Sequence, residues 1–184
     1  MNDAKRIIII GSSGGGKSTL ARQLGDITGL PVIHLDKEHW NPGWVETPKD
    51  IWQEKVKELL KGEQWIIDGN YGGTMKIRAE AADTIIYLDF NRFICLYRVI
   101  KRRLQNHGRT RPDMCEGCKE KIDFEFLKWV WTYPKKKPKV EKLLAILEGK
   151  NIIVLRSKKE VDGFLKQQAI YHCKTSSTVQ SDIR

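Results

Sequence analysis

The segment at residues 11–18 constrains this chain more than any other feature. It reads Gly-Ser-Ser-Gly-Gly-Gly-Lys-Ser and matches the pattern G-x-x-x-x-G-K-[ST] at every fixed position. The continuous apolar run at 7–10 precedes it and predicts a strand buried on both faces. Helical spacing of apolar residues follows over 17–30. A strand, a glycine-rich bend and a helix in this order predict a loop whose backbone amides wrap phosphate groups.

The residue types in this loop predict a nucleoside triphosphate and Mg²⁺ as its ligands. Glycines permit positive φ angles, so successive N–H groups can face the phosphates. Lys17 is expected to reach the β- and γ-phosphates, Ser18 to coordinate Mg²⁺ and Thr19 to hold the α-phosphate. The predicted cofactor-binding residues of the loop are Gly11, Gly14, Gly15, Gly16, Lys17, Ser18 and Thr19.

Strands and helices alternate along the rest of the chain. Apolar runs predict further strands at 31–35, 65–68, 84–89 and 151–155. Helices are expected near 51–60, 74–80, 93–104, 124–133, 140–147 and 158–168, with residues 37–48 and 105–122 irregular and a turn at Pro134 and Pro138. The alternation predicts an α/β fold, a doubly wound parallel sheet of five strands with helices on both faces. We expect one domain over 1–168 and a polar, frayed C-terminal tail over 169–184.

The composition narrows the class of partner. The 184 residues include 33 Lys and Arg against 23 Asp and Glu, a formal charge of +10, which predicts an anionic partner such as a nucleotide, a nucleic acid or an acidic membrane surface. The longest aliphatic run falls far short of the roughly 20 apolar residues of a membrane-spanning helix, and the N-terminus has no signal-peptide pattern. We therefore expect a cytoplasmic protein without a membrane partner, whose cysteines (Cys95, Cys115, Cys118 and Cys173) are reduced thiols.

Missing motifs separate the remaining classes of phosphate-loop protein. A GTPase needs a guanine-reading Asn-Lys-x-Asp, which the chain lacks. Two predicted strands end in aspartate, at Asp68 and Asp89, but neither aspartate is followed by a glutamate that would activate water. The short chain without a hydrolytic base favours transfer from ATP to a bound acceptor over hydrolysis.

A basic segment predicts a lid over the phosphates. Residues 92–111 contain seven Lys or Arg and no acid. Arg98 and Arg102 are four positions apart on a predicted helix and share one face, while Arg109 and Arg111 follow a glycine that suits a hinge. Such a lid brings cations to the transferring phosphate and excludes water. The alternative is a solvated basic face that binds nucleic acid without catalysis.

These residues give the chain a resemblance to the nucleoside-monophosphate-kinase-like group of P-loop proteins. Within that group it most resembles the DNA topology modulation proteins (FlaR-like), which are grouped with the adenylate kinases. The resemblance rests on residues 11–19, 34–44, 68–71 and 108–120 and extends over about 5–166. It implies a sheet of order 2-3-1-4-5, an acceptor-binding segment at about 37–64 and an Arg-rich lid at about 105–122. It also implies that Arg156 and Ser157, after strand five, lie along the adenine.

Two aspartates at strand ends are candidates for the chemistry. Asp36 ends strand two at the edge where such folds bind ligands, so it is expected to hydrogen-bond an acceptor hydroxyl or act as its base. Asp68 ends strand three and is expected, with Ser18, to hold Mg²⁺. The predicted catalytic residues are Lys17, Asp36, Arg102, Arg109 and Arg111.

The acceptor is expected to lie among aromatic residues. His39, Trp40 and Trp44 can stack on a ring, or they can pack against each other as a structural loop. The resembled kinases carry Asp-Gly-aromatic-Pro-Arg where this chain has 68–71, so the Pro-Arg is missing and Arg78 is the candidate substitute. The predicted acceptor-binding residues are Asp36, His39, Trp40, Trp44, Asn70, Tyr71 and Arg78.

The lid also contains a Cys-x-x-Cys pair, Cys115 and Cys118. A four-ligand zinc site of the kind some adenylate kinases carry needs a second such pair, and His107 is the imidazole nearest in sequence. Zinc is therefore not expected.

The first functional hypothesis is an ATP-binding, Mg²⁺-dependent phosphotransferase that moves the γ-phosphate to a nucleotide or other small acceptor. The alternative is a nucleotide-gated DNA-binding protein that affects DNA topology and contacts DNA phosphates through the lid arginines and the basic residues 135–139. A nucleotide sensor without catalysis is a third possibility.

Overall fold

The computed structural model describes residues 4–106, 108–120, 124–147 and 149–181, with side chains as far as residue 174. His107 and the last residues of the expected tail, 182–184, lie outside this part of the chain.

A parallel sheet of five strands forms the centre of the fold. Its strands are β1 (Arg6–Gly11), β2 (Val32–His34), β5 (Trp65–Asp68), β6 (Thr84–Leu88) and β7 (Asn151–Leu155). Between them in the chain, β3 (Trp40–Asn41) and β4 (Val45–Glu46) form a separate antiparallel hairpin, which the sequence analysis did not predict. The order across the sheet is β2-β5-β1-β6-β7, which is the order 2-3-1-4-5 that the resemblance implies when the five sheet strands are counted along the chain.

Helices cover both faces of the sheet. The α-helices are α1 (Lys17–Thr28), α2 (Leu35–His39), α3 (Lys49–Leu59), α4 (Met75–Ala81), α5 (Arg92–Gln105), α6 (Phe124–Thr132), α7 (Lys137–Ala145) and α8 (Lys158–Ser181). Short 3₁₀ helices occupy Gly72–Thr74 and Tyr133–Lys136. Helix α1 ends at a glycine cap. Gly29 takes a left-handed φ of 73°, and its N–H donates a hydrogen bond to the carbonyl of Gly25.

The apolar run of β1 connects two cores. Ile7 and Ile9 pack on one face of the sheet with α1, α5, α6 and α8, whereas Ile8 and Ile10 pack on the other with α3, α4 and α7. Successive side chains of a strand point to opposite faces, so a strand covered on both sides is apolar at every position. This burial confirms the predicted doubly wound α/β class.

Three details before the last helix differ from the sequence prediction. Strand β2 ends at His34, so Asp36, which was expected to end this strand, lies in the first turn of α2. Residues 37–48, expected to be irregular, contain the end of α2 and the β3–β4 hairpin, whose turn uses Gly43 at a φ of 78°. Pro134 and Pro138 were expected to form a turn between helices, but they lie in the first turns of the second 3₁₀ helix and of α7. Proline fits there because first-turn N–H groups have no partner within the helix.

The last helix is longer than predicted. It continues to Ser181 instead of ending at 168. Residues 169–181 include no glycine or proline, so nothing in this polar segment ends the helix. Among the described residues, no helix combines the length and apolar character needed to cross a membrane.

Candidate active site

The glycine-rich loop joins β1 to α1 at the carboxyl edge of the sheet. Gly14 and Gly16 adopt left-handed φ angles of 77° and 95°. A Cβ atom at Gly14 would lie 2.2 Å from the carbonyl oxygen of Cys95, and one at Gly11 would lie 2.5 Å from that of Leu88. The N–H of Gly15 closes the turn on the carbonyl of Ser12 at 3.0 Å. Only glycine fits this path, and its shape supports the predicted cradle of backbone amides.

Lys17 begins α1 and points back across the loop. Its Nζ donates a hydrogen bond to the carbonyl oxygen of Ser12 at 3.1 Å. Burial lowers the pKa of Lys17, and the nearby carboxylates of Asp36 and Asp68 act in the opposite direction. The ammonium group therefore bonds the loop backbone and lies in the field of two acids, Asp68 at the end of β5 and Asp36 in α2. Thr19, in the first turn of α1, has an exposed side chain.

Ser18 and Asp68 are in direct contact. The Ser18 Oγ donates a hydrogen bond to Asp68 Oδ2 at 2.8 Å, and His34 Nδ1 contacts the other oxygen, Oδ1. The strand register explains this meeting, because Ile9 of β1 and His34 of β2 both stand opposite Asp68 of β5. Burial lowers the pKa of His34, but the hydrogen bond to Asp68 and the charges of Asp68 and Asp113 together outweigh it, and the net shift is upward. His34 thus contacts the predicted metal residue itself.

The oxygens of Ser18 and Asp68 fit a hard cation. Mg²⁺ prefers hydroxyl, carboxylate, water and phosphate oxygens, and it is usually held by one or two carboxylates plus substrate phosphates. In the described part of the chain, no three His, Cys, Asp or Glu side chains form a metal cluster. A magnesium ion at this pair would therefore take its other ligands from a nucleotide and from water.

The predicted lid segment carries two buried acids, Asp113 and Glu120. Thr110 pairs with Lys119 in an antiparallel bridge, and the N–H of Glu120 bonds the carbonyl of Arg109 at 3.1 Å. Burial raises the pKa of Asp113, but the Arg111 guanidinium, with smaller contributions from neighbours that include Ser18, outweighs it and leaves the net pKa lowered. Asp113 therefore lies in the neighbourhood of the phosphate-loop serine.

The lid arginines are engaged by lid carboxylates. Arg102 and Arg111 both pair with Glu120, at 2.9 Å and 2.7 Å, and Arg111 also pairs with Asp113 at 2.9 Å. The sequence analysis assigned both arginines to phosphates, but the acids that hold them lie after residue 111 and outside the basic segment. Arg109, the third predicted catalytic arginine, is exposed.

Arg98 is a further cation at the loop, and the sequence analysis noted only the helix face that it occupies. Its guanidinium lies 3.5 Å from the carbonyl oxygen of Gly15 and 4.8 Å from the centre of the Phe90 ring. Helix α5 therefore brings the Arg98 cation into contact with the phosphate loop.

The lid also contacts the β3–β4 hairpin. Trp44 Nε1 donates a hydrogen bond to the carbonyl oxygen of Lys119 at 2.8 Å, and Cys118 Sγ donates one to the carbonyl of Asn41 at 3.2 Å. Trp44 holds a left-handed φ of 65°, which is uncommon for a bulky residue. Cys115 and Cys118 are free thiols, as are Cys95 and Cys173. The predicted acceptor segment and the predicted lid are thus in direct contact.

Asp36 is close enough to Lys17 of the phosphate loop for its charge to act on the pKa of that lysine. Its Oδ1 accepts a hydrogen bond from the Tyr71 hydroxyl at 2.8 Å. Burial, together with the charge of Asp36, raises the pKa of Tyr71, so the phenol stays protonated and keeps donating. Asp36 and Tyr71, both predicted to bind the acceptor, are therefore hydrogen-bonded to each other.

The aromatic residues of the acceptor side form one cluster. His39 contacts Trp40, Trp52 and Tyr71 with ring centres 4.5–5.2 Å apart, and Trp40 contacts Trp44 at 5.4 Å. His39 is buried, and its Nδ1 has no hydrogen-bond partner among the described residues. Packing between the rings matches the structural alternative named for the tryptophans. Trp52, which the sequence analysis did not select, is a member of the cluster.

Arg78 does not have the role that the sequence analysis gave it. It has no exposed surface, and its guanidinium donates to the carbonyl oxygens of Gly69, Asn70 and Tyr71 at 3.0–3.1 Å. Burial lowers the pKa of Arg78 to about 10. Because its donors are used on the backbone, Arg78 shapes the 69–71 loop and is not available to an acceptor phosphate.

The Asn70 side chain is likewise hydrogen-bonded to the protein backbone, so it is not available to an acceptor. Its amide nitrogen donates to the Gly11 carbonyl at 2.6 Å and its Oδ1 accepts from the Gly11 N–H at 3.1 Å. Tyr133 contacts the same Oδ1 at 3.4 Å. Asn70 therefore pairs with the first glycine of the phosphate loop as a strand neighbour would.

Arg156 and Ser157 form the start of α8. The Ser157 Oγ accepts a hydrogen bond from the Glu160 backbone N–H at 3.2 Å and donates one to the Glu160 carboxylate at 2.9 Å, as in a capping box. The same carboxylate accepts from the Arg156 N–H at 2.8 Å. The Arg156 side chain faces Asp89 at 3.5 Å, which Lys137 also contacts at 2.6 Å. The Arg156 N–H and the Ser157 hydroxyl are thus engaged by the helix cap.

The comparisons with known proteins identify the fold. No family model matches the chain, and no curated protein matches it. Among solved structures, the chain is similar to shikimate kinase from Acinetobacter baumannii in complex with shikimate, with a TM-score of 0.59, 12% identity and 96% of each chain covered. It is also similar to a gluconokinase from Sinorhizobium meliloti 1021, with a TM-score of 0.50, 14% identity and 98% of each chain covered. Shikimate kinase from Bacteroides thetaiotaomicron gives a TM-score of 0.50 at 15% identity, with 90% of this chain and 96% of the other covered. The chain therefore has the fold of the P-loop kinases.

Proposed function

We propose that this protein is an ATP-dependent phosphotransferase that moves the γ-phosphate to a small acceptor bound beside Asp36. One observation carries the proposal: Lys17 and Ser18 of the phosphate loop meet Asp36 and Asp68 at one edge of the sheet. Parallel α/β sheets bind their ligands at this carboxyl edge. The similar structures are named as kinases of small molecules, which supports the same class of reaction.

The chain's own residues supply positioning and charge. The loop amides and Lys17 would bind the triphosphate, with Arg98 beside the loop. The acceptor oxygen would attack the γ-phosphorus as the bond between the γ-phosphorus and the ADP oxygen breaks. Asp36 would take the proton of the acceptor hydroxyl. Tyr71 orients Asp36 through its hydrogen bond at 2.8 Å.

Mg²⁺ is expected at Ser18 and Asp68. When bound, it would neutralise charge on the β- and γ-phosphate oxygens. His34 contacts Asp68 on the side away from Ser18 and fixes the orientation of the carboxylate. The lid acids Asp113 and Glu120 hold Arg111, so that closure of the lid and placement of its cations are linked.

The acceptor that fits best is a hydroxyl compound with a ring. Asp36 offers a carboxylate for a hydroxyl proton, and the rings of His39, Trp40 and Tyr71 lie beside it. Arg78, the candidate for a phosphate-bearing acceptor, is used on backbone carbonyls. A nucleoside, sugar or cyclic alcohol therefore suits the site better than an ordinary nucleoside monophosphate.

The finer assignments belong to the same proposal. We infer a single domain over 1–168, with an acceptor segment at about 37–64 and a lid at about 105–122. We also infer a subgroup close to the adenylate kinases and the DNA topology modulation proteins, and a cytoplasmic location. Nucleotide-gated DNA binding gains no support from the similar structures, so it stays the second hypothesis.

The test is a screen for ADP release from ATP and Mg²⁺ with nucleosides, nucleoside monophosphates, sugars and cyclic alcohols. Lys17→Ala should lower acceptor-dependent turnover by at least about 100-fold, because a donor that stabilises transferring charge has that effect. Lys166→Ala, an exposed lysine of α8, is the matched control and should behave as the unchanged protein. ATP binding without Lys17-dependent transfer to any acceptor would favour the sensor hypothesis instead.

A further inference from the structure

Helix α5 presents an apolar stripe to solvent. Its inner face, with Cys95 and Val99, is fully buried in the core. The outward residues recur at intervals of four, three and four positions, the spacing of one helix face. Their exposed fractions are 59% for Phe93, 64% for Tyr97, 43% for Ile100 and 75% for Leu104.

The stripe continues onto the neighbouring helix. Trp131 of α6 is 39% exposed, and its ring centre lies 5.3 Å from that of Phe93. Arg92 covers one edge of this patch, with its guanidinium 4.2 Å from the Trp131 ring centre. Together with Ile94 these side chains expose on the order of 600 Å² of apolar surface, the upper end for a typical monomer. A standard interface buries roughly 800 Å² per partner, so the patch is large enough to be the centre of one.

We propose that two copies of this chain associate through antiparallel α5 helices around a two-fold axis. An axis between residues 98 and 99 places Phe93 opposite the partner's Leu104 and Tyr97 opposite the partner's Ile100. Each large apolar residue of the stripe then meets another one. A two-fold interface has to be complementary to itself, and the stripe satisfies this condition with one choice of axis.

The charged residues of α5 lie at the rim of this antiparallel interface. Arg92 stands opposite the partner's Gln105, Lys101 opposite the partner's Leu96 and Arg103 opposite the partner's Ile94. The two Lys101 residues are offset by five positions, about 7.5 Å along the axis, in addition to the separation of the helices. An association of this kind would also brace the helix that carries Arg98 and Arg102.

The first test is the mass of the full chain in solution at 5–100 µM, measured by sedimentation velocity and light scattering. The dimer should be the main species, and Tyr97→Glu should shift it to monomer by at least about 100-fold in dissociation constant, since it buries a carboxylate at the centre of the interface. Ile51→Glu changes an apolar residue of α3 that is 55% exposed, and this control should leave the mass unchanged. Circular dichroism of both variants shows whether they are folded.

The second test addresses the register. In a Cys115→Ser, Cys173→Ser background, the double variant Phe93→Cys, Leu104→Cys should form intermolecular disulfides with oxidised glutathione, while each single variant should not. A monomer across this concentration range, a dimer that Tyr97→Glu leaves intact, or equal crosslinking of single and double variants overturns the proposal. Binding of the monomer to vesicles of anionic lipid through the same stripe would overturn it as well.

Discussion

The hydroxyl of Ser18 and the carboxylate of Asp68 share a hydrogen bond of 2.8 Å, although 50 positions separate them in the sequence. The contact follows from the parallel pairing of β1 with β5, which brings the start of α1 beside the end of β5. His34 holds the second carboxylate oxygen, so the orientation of Asp68 is fixed from two sides. The proposed metal pair is therefore held by contacts within the protein.

Asp68→Asn should weaken the effect of Mg²⁺ on ATP binding. An amide keeps the shape of the side chain but loses the charge that attracts the cation, so the Mg²⁺ concentration for half-maximal effect should rise by at least about 10-fold. Calorimetry of ATP binding across a Mg²⁺ series, with a chelator arm, measures this. Asp50→Asn in the exposed first turn of α3 is the control. An unchanged Mg²⁺ response would remove Asp68 from the metal site.

The features predicted from the sequence are those that depend on local pattern. The run at 7–10 is apolar at every position, which only a strand covered on both faces requires, and the structure buries it as predicted. The loop glycines and the helix at Lys17 follow from chain geometry within ten residues. Asp68 was placed at a strand end by the pattern before it, and the register then brings it to Ser18.

The features that the sequence did not predict depend on where a side chain ends in three dimensions. Arg78 looks like any helical arginine, and only the path of the 69–71 loop shows that its donors are used there. Arg102 and Arg111 were assigned to phosphates because their own segment lacks acids, yet Glu120 reaches both after the chain folds back. Side-chain pairing across loops carries no periodic signal, so neither outcome was predictable.

Arg78→Met should destabilise the fold rather than weaken acceptor binding alone. The change leaves buried carbonyl oxygens of Gly69, Asn70 and Tyr71 without donors, which costs about 3 kcal/mol. In a chain of this length, that loss lowers the Tm by about 6–12 °C. Thermal unfolding followed by circular dichroism measures it. Lys76→Met changes an exposed cation of the same helix and should have little effect, and similar Tm values for both variants would contradict the structural role of Arg78.

Glu120→Gln should loosen the lid. The buried Glu120 carboxylate pairs with Arg102 and Arg111, and its neutralisation leaves two guanidinium groups without their shared counter-ion. Hydrogen exchange of backbone amides in 108–120 should accelerate by at least about 10-fold, while amides of β1 keep their protection. Glu116→Gln changes an exposed acid of the same lid and serves as the control. Equal exchange in Glu120→Gln and the unchanged protein would show that the ion pairs do not hold the lid.

His39 should make the folded state sensitive to mild acid. Burial lowers its pKa from the ordinary 6.5; Glu46 and Asp36 act in the opposite direction, and Lys55 adds to the lowering. The unfolded chain then binds a proton at a higher pH than the folded chain does. The contribution of neutral His39 to stability is therefore complete above about pH 6.5 and is lost as the pH falls towards the folded-state pKa.

Substitution of His39 by Phe tests this linkage, because it keeps an aromatic ring among Trp40, Trp52 and Tyr71 but removes the proton site. Urea unfolding from about pH 8 to about pH 5 should show that the free energy of unfolding falls more steeply for the unchanged protein than for His39→Phe. His34, whose pKa is raised, is present in both proteins and cancels from the comparison. If the free energy of unfolding of both proteins changed with pH in the same way, His39 would have the same pKa in the folded and unfolded chains. That result would contradict the lowering of its pKa by burial.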